Sequence, residues 1–319
     1  MSTGGRPGGP TEELRPRGSR PARAGGAAPE AALEALVQLA LREDLGDEGD
    51  VTSRWTVPEG RRVQAVVVAK EALVVAGTAC VEAVAAAVDP ALEVAVEAPD
   101  GRRVEAGQTV VRITGPARSL LAAERTALNF LARLSGVATL TRRFVDAVAG
   151  TGARVVDTRK TTPGWRALEK AAVRAGGGTN HRMGLFDMVL VKDNHAEAAG
   201  GVGAAARAAR EENERRARDG RAPLGIEVEV REPDELEEVL AVGVDRILLD
   251  NMDPAGLRAA VERVRQAGEP RPLLEASGNV TLQTVRAVAE TGVDLVSVGA
   301  LTHSAPSADL SLRVVGVDR

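Results

Sequence analysis

The chain has 319 residues, enough for two or three domains or for one barrel with an appendage. Hydrophobic residues make up 44% and charged residues 27%, an ordinary globular balance, while a net charge of −4, 2% aromatics and no Tyr argue against a nucleic-acid binder. The single Cys80 excludes an internal disulfide and a multi-Cys zinc site, three scattered His residues without HExxH spacing speak against a His-based metal centre, and no uncharged apolar run approaches the roughly 18–20 residues of a membrane span.

In chain order, residues 1–28 are Gly, Pro, Arg and Ala with almost no large apolar side chain, which reads as a disordered tail. No apolar signal-peptide core opens the chain, so the expected location is the cytoplasm. Leu33, Leu36, Val37, Leu39 and Ala40 recur at helical spacing from Glu30 to Leu45. The Val-rich runs VQAVVVAKEALVVAG, ALEVAVEA and TVVRITG read as strands around a helix, AGTACVEAVAAAV, and together they form a small α+β domain. Cys80 lies on that apolar helix and reads as core packing. Residues 120–134 and 139–149 look like two helices.

After residue 150 the rhythm changes. Six short apolar runs follow, at 154–158, 187–192, 225–230, 246–251, 272–278 and 294–299, most with a helical stretch behind. Strands alternating with helices predict a parallel sheet, and six such units in about 150 residues suit an incomplete (β/α) barrel. The missing GxGxxG after the first strand weakens a dinucleotide-binding sheet. The charged segment REENERRARDGR reads as a solvated helix end and loop. The expected organisation is α/β: an N-terminal α+β sandwich-like domain (29–135), the incomplete barrel (136–302), and a segment (303–319) packing back on the first domain.

The chemistry is expected where the six runs end, because barrel strands deliver their C-terminal ends to one mouth. Those ends carry Asp157, Thr158, Arg159 and Lys160; Lys192, Asp193 and Asn194; Glu227 and Glu229; Asp250 and Asn251; Glu275, Ser277, Gly278 and Asn279; and Gly299. Charges at one strand end merely mark the return to solvent, but six such ends together weaken that reading. Arg159, Lys160, Arg182 and Lys192 favour a polyanionic ligand, since Arg forks match carboxylate and phosphate and Lys acts as a point charge. Glu229 and Asp250 could hold magnesium or could neutralise the cations. The SGN and VGAL turns could offer backbone N–H groups to a phosphate. Lys192 could form a Schiff base, though its charged neighbours make an ion pair more natural.

These residues occur in a familiar order. The stretches REDLGDEGDVTS (42–53), ERTALNFLARLSGVAT (124–139), the run DTRKTTPG…GGGTNHR…VKDNH (157–195), EVEV, ILLDN, EASGN and VGALTHS resemble the quinolinate phosphoribosyltransferase family over about residues 30–315. Trp165 and Ala171–Ala172 depart from the usual residues and read as packing changes. The resemblance implies an N-terminal α/β sandwich on an incomplete barrel, a homodimer with shared active sites, and magnesium-assisted transfer from phosphoribosyl pyrophosphate to quinolinate. It implies that Arg159, Lys160, His181 and Arg182 receive the quinolinate carboxylates, with Arg125 supplied by the other subunit. It also implies that Lys160, Lys192, Glu229 and Asp250 handle the donor, its magnesium (Glu229 and Asp250) and the ribose hydroxyls. It implies that Ser277, Gly278, Asn279 and Gly299 cradle the 5′-phosphate, with Thr158 and Ala300 among the substrate contacts. Apart from the resemblance, Arg125 could simply pair on the surface with Glu124 or Asp146.

Overall fold

A computed structural model describes residues 27–317. The expected tail lies outside the described residues except for its last two positions, which open the first helix. That helix, α1 (Ala27–Leu45), places Val37 and Leu41 in the core. After α2 (Val51–Thr56), capped by Asp50 accepting from the Ser53 N–H at 2.9 Å, come β1 (Arg62–Ala69), β2 (Leu73–Val74), α3 (Thr78–Val88), β3 (Glu93–Val96), β4 (Arg103–Val104) and β5 (Thr109–Pro116). The Val-rich run at 63–77 is therefore not one strand. It breaks at Lys70–Glu71, where two charged residues leave the sheet, and resumes as β2 against β4. Cys80 is buried on α3, and burial pushes its thiol up to about 12, as expected of a packing residue.

The next helix, α4 (Ala117–Ala147), runs 31 residues without interruption, where the sequence pattern suggests two helices. Ser135–Gly136 looks like a break, but Gly136 is an internal contact. A Cβ there would stand 1.9 Å from the Pro306 carbonyl oxygen, so the residue lets another chain segment lie against the helix. The domain division expected at 135/136 falls inside this helix.

The second half alternates β6 (Arg154–Val156), α5 (Arg166–Ala175), β7 (Met188–Val191), α6 (Asp193–Ala199), α7 (Val202–Arg218), β8 (Gly225–Val230), α8 (Pro233–Val242), β9 (Arg246–Asp250), α9 (Pro254–Gln266), β10 (Leu273–Ser277), α10 (Val285–Ala289), β11 (Leu295–Ser297) and α11 (Ala300–His303). All six expected strands are present. They form one parallel sheet in the order β6-β11-β10-β9-β8-β7, with β6 and β7 at its two edges. Only an isolated bridge, Val156 to Thr179, extends the β6 edge toward the chain leading into β7, so the barrel is incomplete. The final strand, β12 (Leu310–Val317), pairs antiparallel with β1 in a sheet ordered β12-β1-β5-β3. Trp165, one of the departures from the family pattern, stacks on Phe130 of α4 with centroids 4.7 Å apart and so ties the loop before α5 to the long helix. No helix among the described residues is long and apolar enough to cross a membrane.

Ala ordinarily favours a helix over Gly by about 1 kcal/mol. Gly136→Ala should reverse that sign and destabilise by about 1–3 kcal/mol in chemical denaturation, because the new methyl meets backbone rather than a flexible side chain.

Candidate active site

The site begins with a buried charge. Asp157, directly after β6, is fully buried and pairs with the equally buried Lys170 of α5. The same carboxylate accepts the His181 N–H at 2.8 Å and the Asn180 side-chain amide at 2.6 Å, while the Lys170 ammonium also donates to the His181 carbonyl at 3.0 Å. Burial pushes the Asp157 carboxyl up and the Lys170 ammonium down, each opposed by the other's charge. Two segments over twenty residues apart, 157–160 and 180–182, are thereby fixed side by side.

A second buried carboxylate shapes the intervening loop. Glu169 accepts from the Thr162 N–H at 3.0 Å, the Thr162 hydroxyl at 2.9 Å and the Arg133 guanidinium of α4 at 2.7 Å. Arg133 also donates to the carbonyls of Thr302 and Ala305, so one guanidinium joins α4, the 158–165 loop and the end of α11.

The consequence is a pair of adjacent arginines. Arg182 is buried, and its guanidinium donates to the Met188 carbonyl at 3.1 Å. Burial and the neighbouring Arg159 charge both lower its pKa. The Arg159 guanidinium has no hydrogen bond or ion pair among the described residues, and its Nε is buried. Two like charges left close together in a partly desolvated place are unfavourable until an anion joins them. Lys160 stands beside them, its backbone N–H held by the Thr158 hydroxyl at 3.0 Å and its carbonyl by the Thr302 hydroxyl at 2.7 Å.

His181 is turned inward. Its Nε2 lies 2.9 Å from Glu227 and 3.3 Å from Glu275, both fully buried, and its Nδ1 accepts the Arg182 N–H at 2.8 Å. Burial alone would depress the imidazole, but Glu275 and Glu227 outweigh it and raise the pKa to about 10. Burial and the Glu275 charge raise Glu227, whereas His181 holds Glu275 low. The two carboxylates facing Nε2 hold a proton on that nitrogen. The buried Arg246 of β9 adds positive charge to this cluster. The His181, Glu227 and Glu275 donor atoms lie within 4.8 Å of one another, a set that could hold a divalent cation. The Arg182 N–H on Nδ1 ties the ring to the backbone that carries Arg182.

At the other side of the mouth the charges are already paired. Lys192 donates to Glu229 at 2.6 Å and remains about half exposed, the ion-pairing arrangement rather than the desolvated one a Schiff-base lysine requires. Arg231, absent from the residues singled out in the sequence, lies within 3.3 Å of Glu229, 3.5 Å of Asp250 and 2.9 Å of Asp193. Beyond Asp250 the backbone closes tightly. Asn251 and Asn279 both adopt positive φ, the Asn279 amide donates to Asn251 Oδ1 at 3.2 Å, and a Cβ at Gly278 (φ +105°) would meet that same oxygen at 2.1 Å. Ser277 pairs with Asp250 in register, and Gly299 leads into Ala300 at the start of α11. A Cβ on Gly299 would meet both Lys160 and His303 at 3.1 Å, which brings His303 into the site although sequence reasoning passed it over.

The structure therefore gathers Thr158, Arg159, Lys160, Arg182, Lys192, Glu229, Asp250, Ser277, Gly278, Asn279, Gly299 and Ala300 at the strand ends. Arg125 is apart from them. It is exposed on α4 and lines a cavity of about 320 Å³ with Leu128, Asn129, Ala132, Asp309 and Leu310. It has no ion pair among the described residues, and Asp146 is taken by Arg103 and Arg142.

This arrangement meets its match in a known family. Residues 50–135 match the description "Quinolinate phosphoribosyl transferase, N-terminal domain" and residues 137–313 its C-terminal domain. The chain belongs to the quinolinate phosphoribosyltransferase family. It is 43% identical over 297 residues to a Nicotiana glauca quinolinate phosphoribosyltransferase [decarboxylating], covering 88% of this chain and 82% of that protein. A probable nicotinate-nucleotide pyrophosphorylase [carboxylating] of Synechocystis is 43% identical over 283 residues, covering 89% and 92%. Among solved structures, the nicotinate-nucleotide pyrophosphorylase of Francisella tularensis superposes with a TM-score of 0.82 at 36% identity, covering 89% of this chain and 96% of that one.

The retained proton makes a measurable claim. A group whose folded pKa is raised contributes stability that is complete below its unfolded value, near 6.5, and is lost as pH rises through about 10. NMR of His181 should show no titration step between roughly pH 5.5 and 8.5 in the native protein; an ordinary step near 6.5 would contradict the hold of Glu227 and Glu275 on the ring.

Proposed function

We propose that this chain transfers the phosphoribosyl group of phosphoribosyl pyrophosphate to quinolinate, with decarboxylation, giving nicotinate mononucleotide, pyrophosphate and CO₂. The observation that carries this reading, beside family membership, is that Arg159 and Arg182 stand close enough to repel each other and make no ion pair among the described residues. Two guanidinia and the nearby Lys160 suit a dicarboxylate, because a monocarboxylate leaves at least one cation unpaired in a desolvated place. Their role is to hold the pyridine ring with its nitrogen facing ribose C1. His181 serves as the brace of Arg182.

The carboxylates of the opposite side suit the donor. Lys192, Glu229 and Asp250 would take the ribose hydroxyls and the diphosphate, and the 277–279 turn with Gly299 and Ala300 would offer backbone N–H groups to the 5′-phosphate. Glu229 and Asp250 fit a magnesium ion by their chemistry: they are oxygen donors on adjacent strands, and a guanidinium already bridges them. Bound with the donor, magnesium supplies charge neutralisation for the leaving pyrophosphate. The protein's own contribution is placement and charge. Lys160 and Lys192 stabilise the departing phosphates as the C1–O bond breaks and the pyridine nitrogen attacks. Once that nitrogen is quaternary, it stabilises the carbanion left on the ring as the adjacent C–C bond breaks and CO₂ departs, and a proton from water completes nicotinate mononucleotide.

Assay of the purified protein with quinolinate and with nicotinate, following pyrophosphate and CO₂, tests the reaction. Quinolinate should be strongly preferred, and Arg159→Ala should cost about 2–4 kcal/mol of transition-state stabilisation with quinolinate. Equal turnover of both acids would remove the dicarboxylate reading.

Arg125 completes the proposal as a residue of a shared site. Exposed, without an ion pair among the described residues and outside the gathered strand ends, it is available to a second copy, and a two-fold dimer would contain two equivalent composite sites. Arg125→Ala and Lys160→Ala proteins should each be nearly inactive. After co-refolding, half the dimers are mixed and each mixed dimer regains one site of two, so about a quarter of wild-type activity should return. Activity that stays at the parental level, with mixed dimers shown to form, would place Arg125 outside the partner's site.

A further inference from the structure

Arg231 occupies an unusual place. It follows β8 immediately, and its backbone N–H is pinned to the Glu235 carboxylate of α8 at 2.6 Å. Its guanidinium spans three carboxylates from three elements: Asp193 at the start of α6 (2.9 Å), Glu229 of β8 (3.3 Å) and Asp250 at the end of β9 (3.5 Å). With Lys192 on the other Glu229 oxygen, both oxygens of that nearly buried carboxylate are engaged by cations. Half of the Arg231 side chain remains exposed, so it can swing without opening a packed core.

We propose that Arg231 is the resident counter-cation of the donor site. In the free protein it holds the oxygens of Glu229 and Asp250 that a divalent cation needs, and it yields them when the metal arrives with the diphosphate. The inference rests on the reading that Glu229 and Asp250 hold the donor's metal.

The charge count supports an exchange. Asp193, Glu229 and Asp250 carry three negative charges, and Lys192 and Arg231 carry two positive ones, so the free cluster is close to balance. A divalent ion added on top of the same contacts would make the cluster net positive and would compete with a guanidinium that cannot give up its proton. A diphosphate resolves the conflict, since it brings negative charge for the displaced guanidinium, and Asp193 keeps Arg231 close by. Metal entry is thereby coupled to donor entry: metal alone meets an occupied site, whereas metal with a diphosphate does not. An Arg fork reaches all three carboxylates, which a lysine point charge on the same stem cannot do at once.

The test is Mn²⁺ binding, followed by the electron paramagnetic resonance signal of the free ion. Titrations are run with the whole protein alone and with inorganic pyrophosphate, without turnover. Wild-type protein should bind Mn²⁺ weakly alone and more tightly with pyrophosphate. Arg231→Gln should bind Mn²⁺ alone about fivefold or more tightly than wild type, since a positive charge beside the ligand oxygens is gone. The pyrophosphate effect should shrink accordingly, and the gain should vanish in the Arg231→Gln/Glu229→Gln double variant. Far-ultraviolet circular dichroism and thermal unfolding establish that each variant is folded. If Arg231→Gln leaves Mn²⁺ affinity unchanged or lower while Glu229→Gln weakens binding, the metal site stands and the role of Arg231 falls. If Glu229→Gln leaves Mn²⁺ binding with pyrophosphate unaltered, the assignment of the metal to Glu229 and Asp250 fails, and the Arg231 inference fails with it.

Discussion

Everything at the mouth hangs on the buried pair of Asp157 and Lys170. Burying two charges is costly, and such a pair is kept only when its remaining hydrogen-bonding capacity is filled. Here the His181 N–H, the His181 carbonyl and the Asn180 amide fill it, all from one segment. The desolvation cost therefore becomes geometric definition. The strand end that carries Arg159 and the loop that carries Arg182 cannot separate without stranding a charge in the interior. Glu169 and Arg133 repeat the device one layer out, clamping the 158–165 loop to α4 and to the end of α11.

The mouth is divided electrically. Around Arg159 and Arg182 two guanidinia stand together with no ion pair among the described residues, so their repulsion favours an anion there. Around Glu229 and Asp250 carboxylates and cations are already paired through Lys192 and Arg231. The two sides are thus opposite in their electrostatic preparation. The His181–Glu227–Glu275 cluster, with Arg246 nearby, is buried, and its carboxylates hold the His181 pKa up.

Much of this was legible in the chain. Each of the six barrel strands announced itself as a short apolar run, because strands covered on both faces need continuous apolar sequence. The polar residues that end those runs had to meet, since parallel strands point their C-terminal ends the same way. Other features left no local mark. Gly136 carries the ordinary signature of a helix break, and only the Pro306 carbonyl against its bare face explains why α4 continues. Lys70–Glu71 sits inside an apolar run, and the division of that run into β1 and β2 depends on which partner strands lie on either side. Arg231 and His303 were not singled out, because nothing near them in the chain marks the carboxylates or the lysine they meet in the fold.

The sequence by itself determined the alternation of strands and helices, the family, and the residue types delivered to the mouth, because these depend on periodicity and on residues close together in the chain. Tertiary structure alone decided how the charges are shared. Which carboxylate faces which cation depends on the sheet order β6-β11-β10-β9-β8-β7, which sets Glu227 and Glu275 on either side of β9 and brings both to His181. The same order lays Glu229 and Asp250 on neighbouring strands under one guanidinium. A proton or a metal ion responds to distances of a few ångströms between residues up to about a hundred positions apart, and no local pattern encodes them.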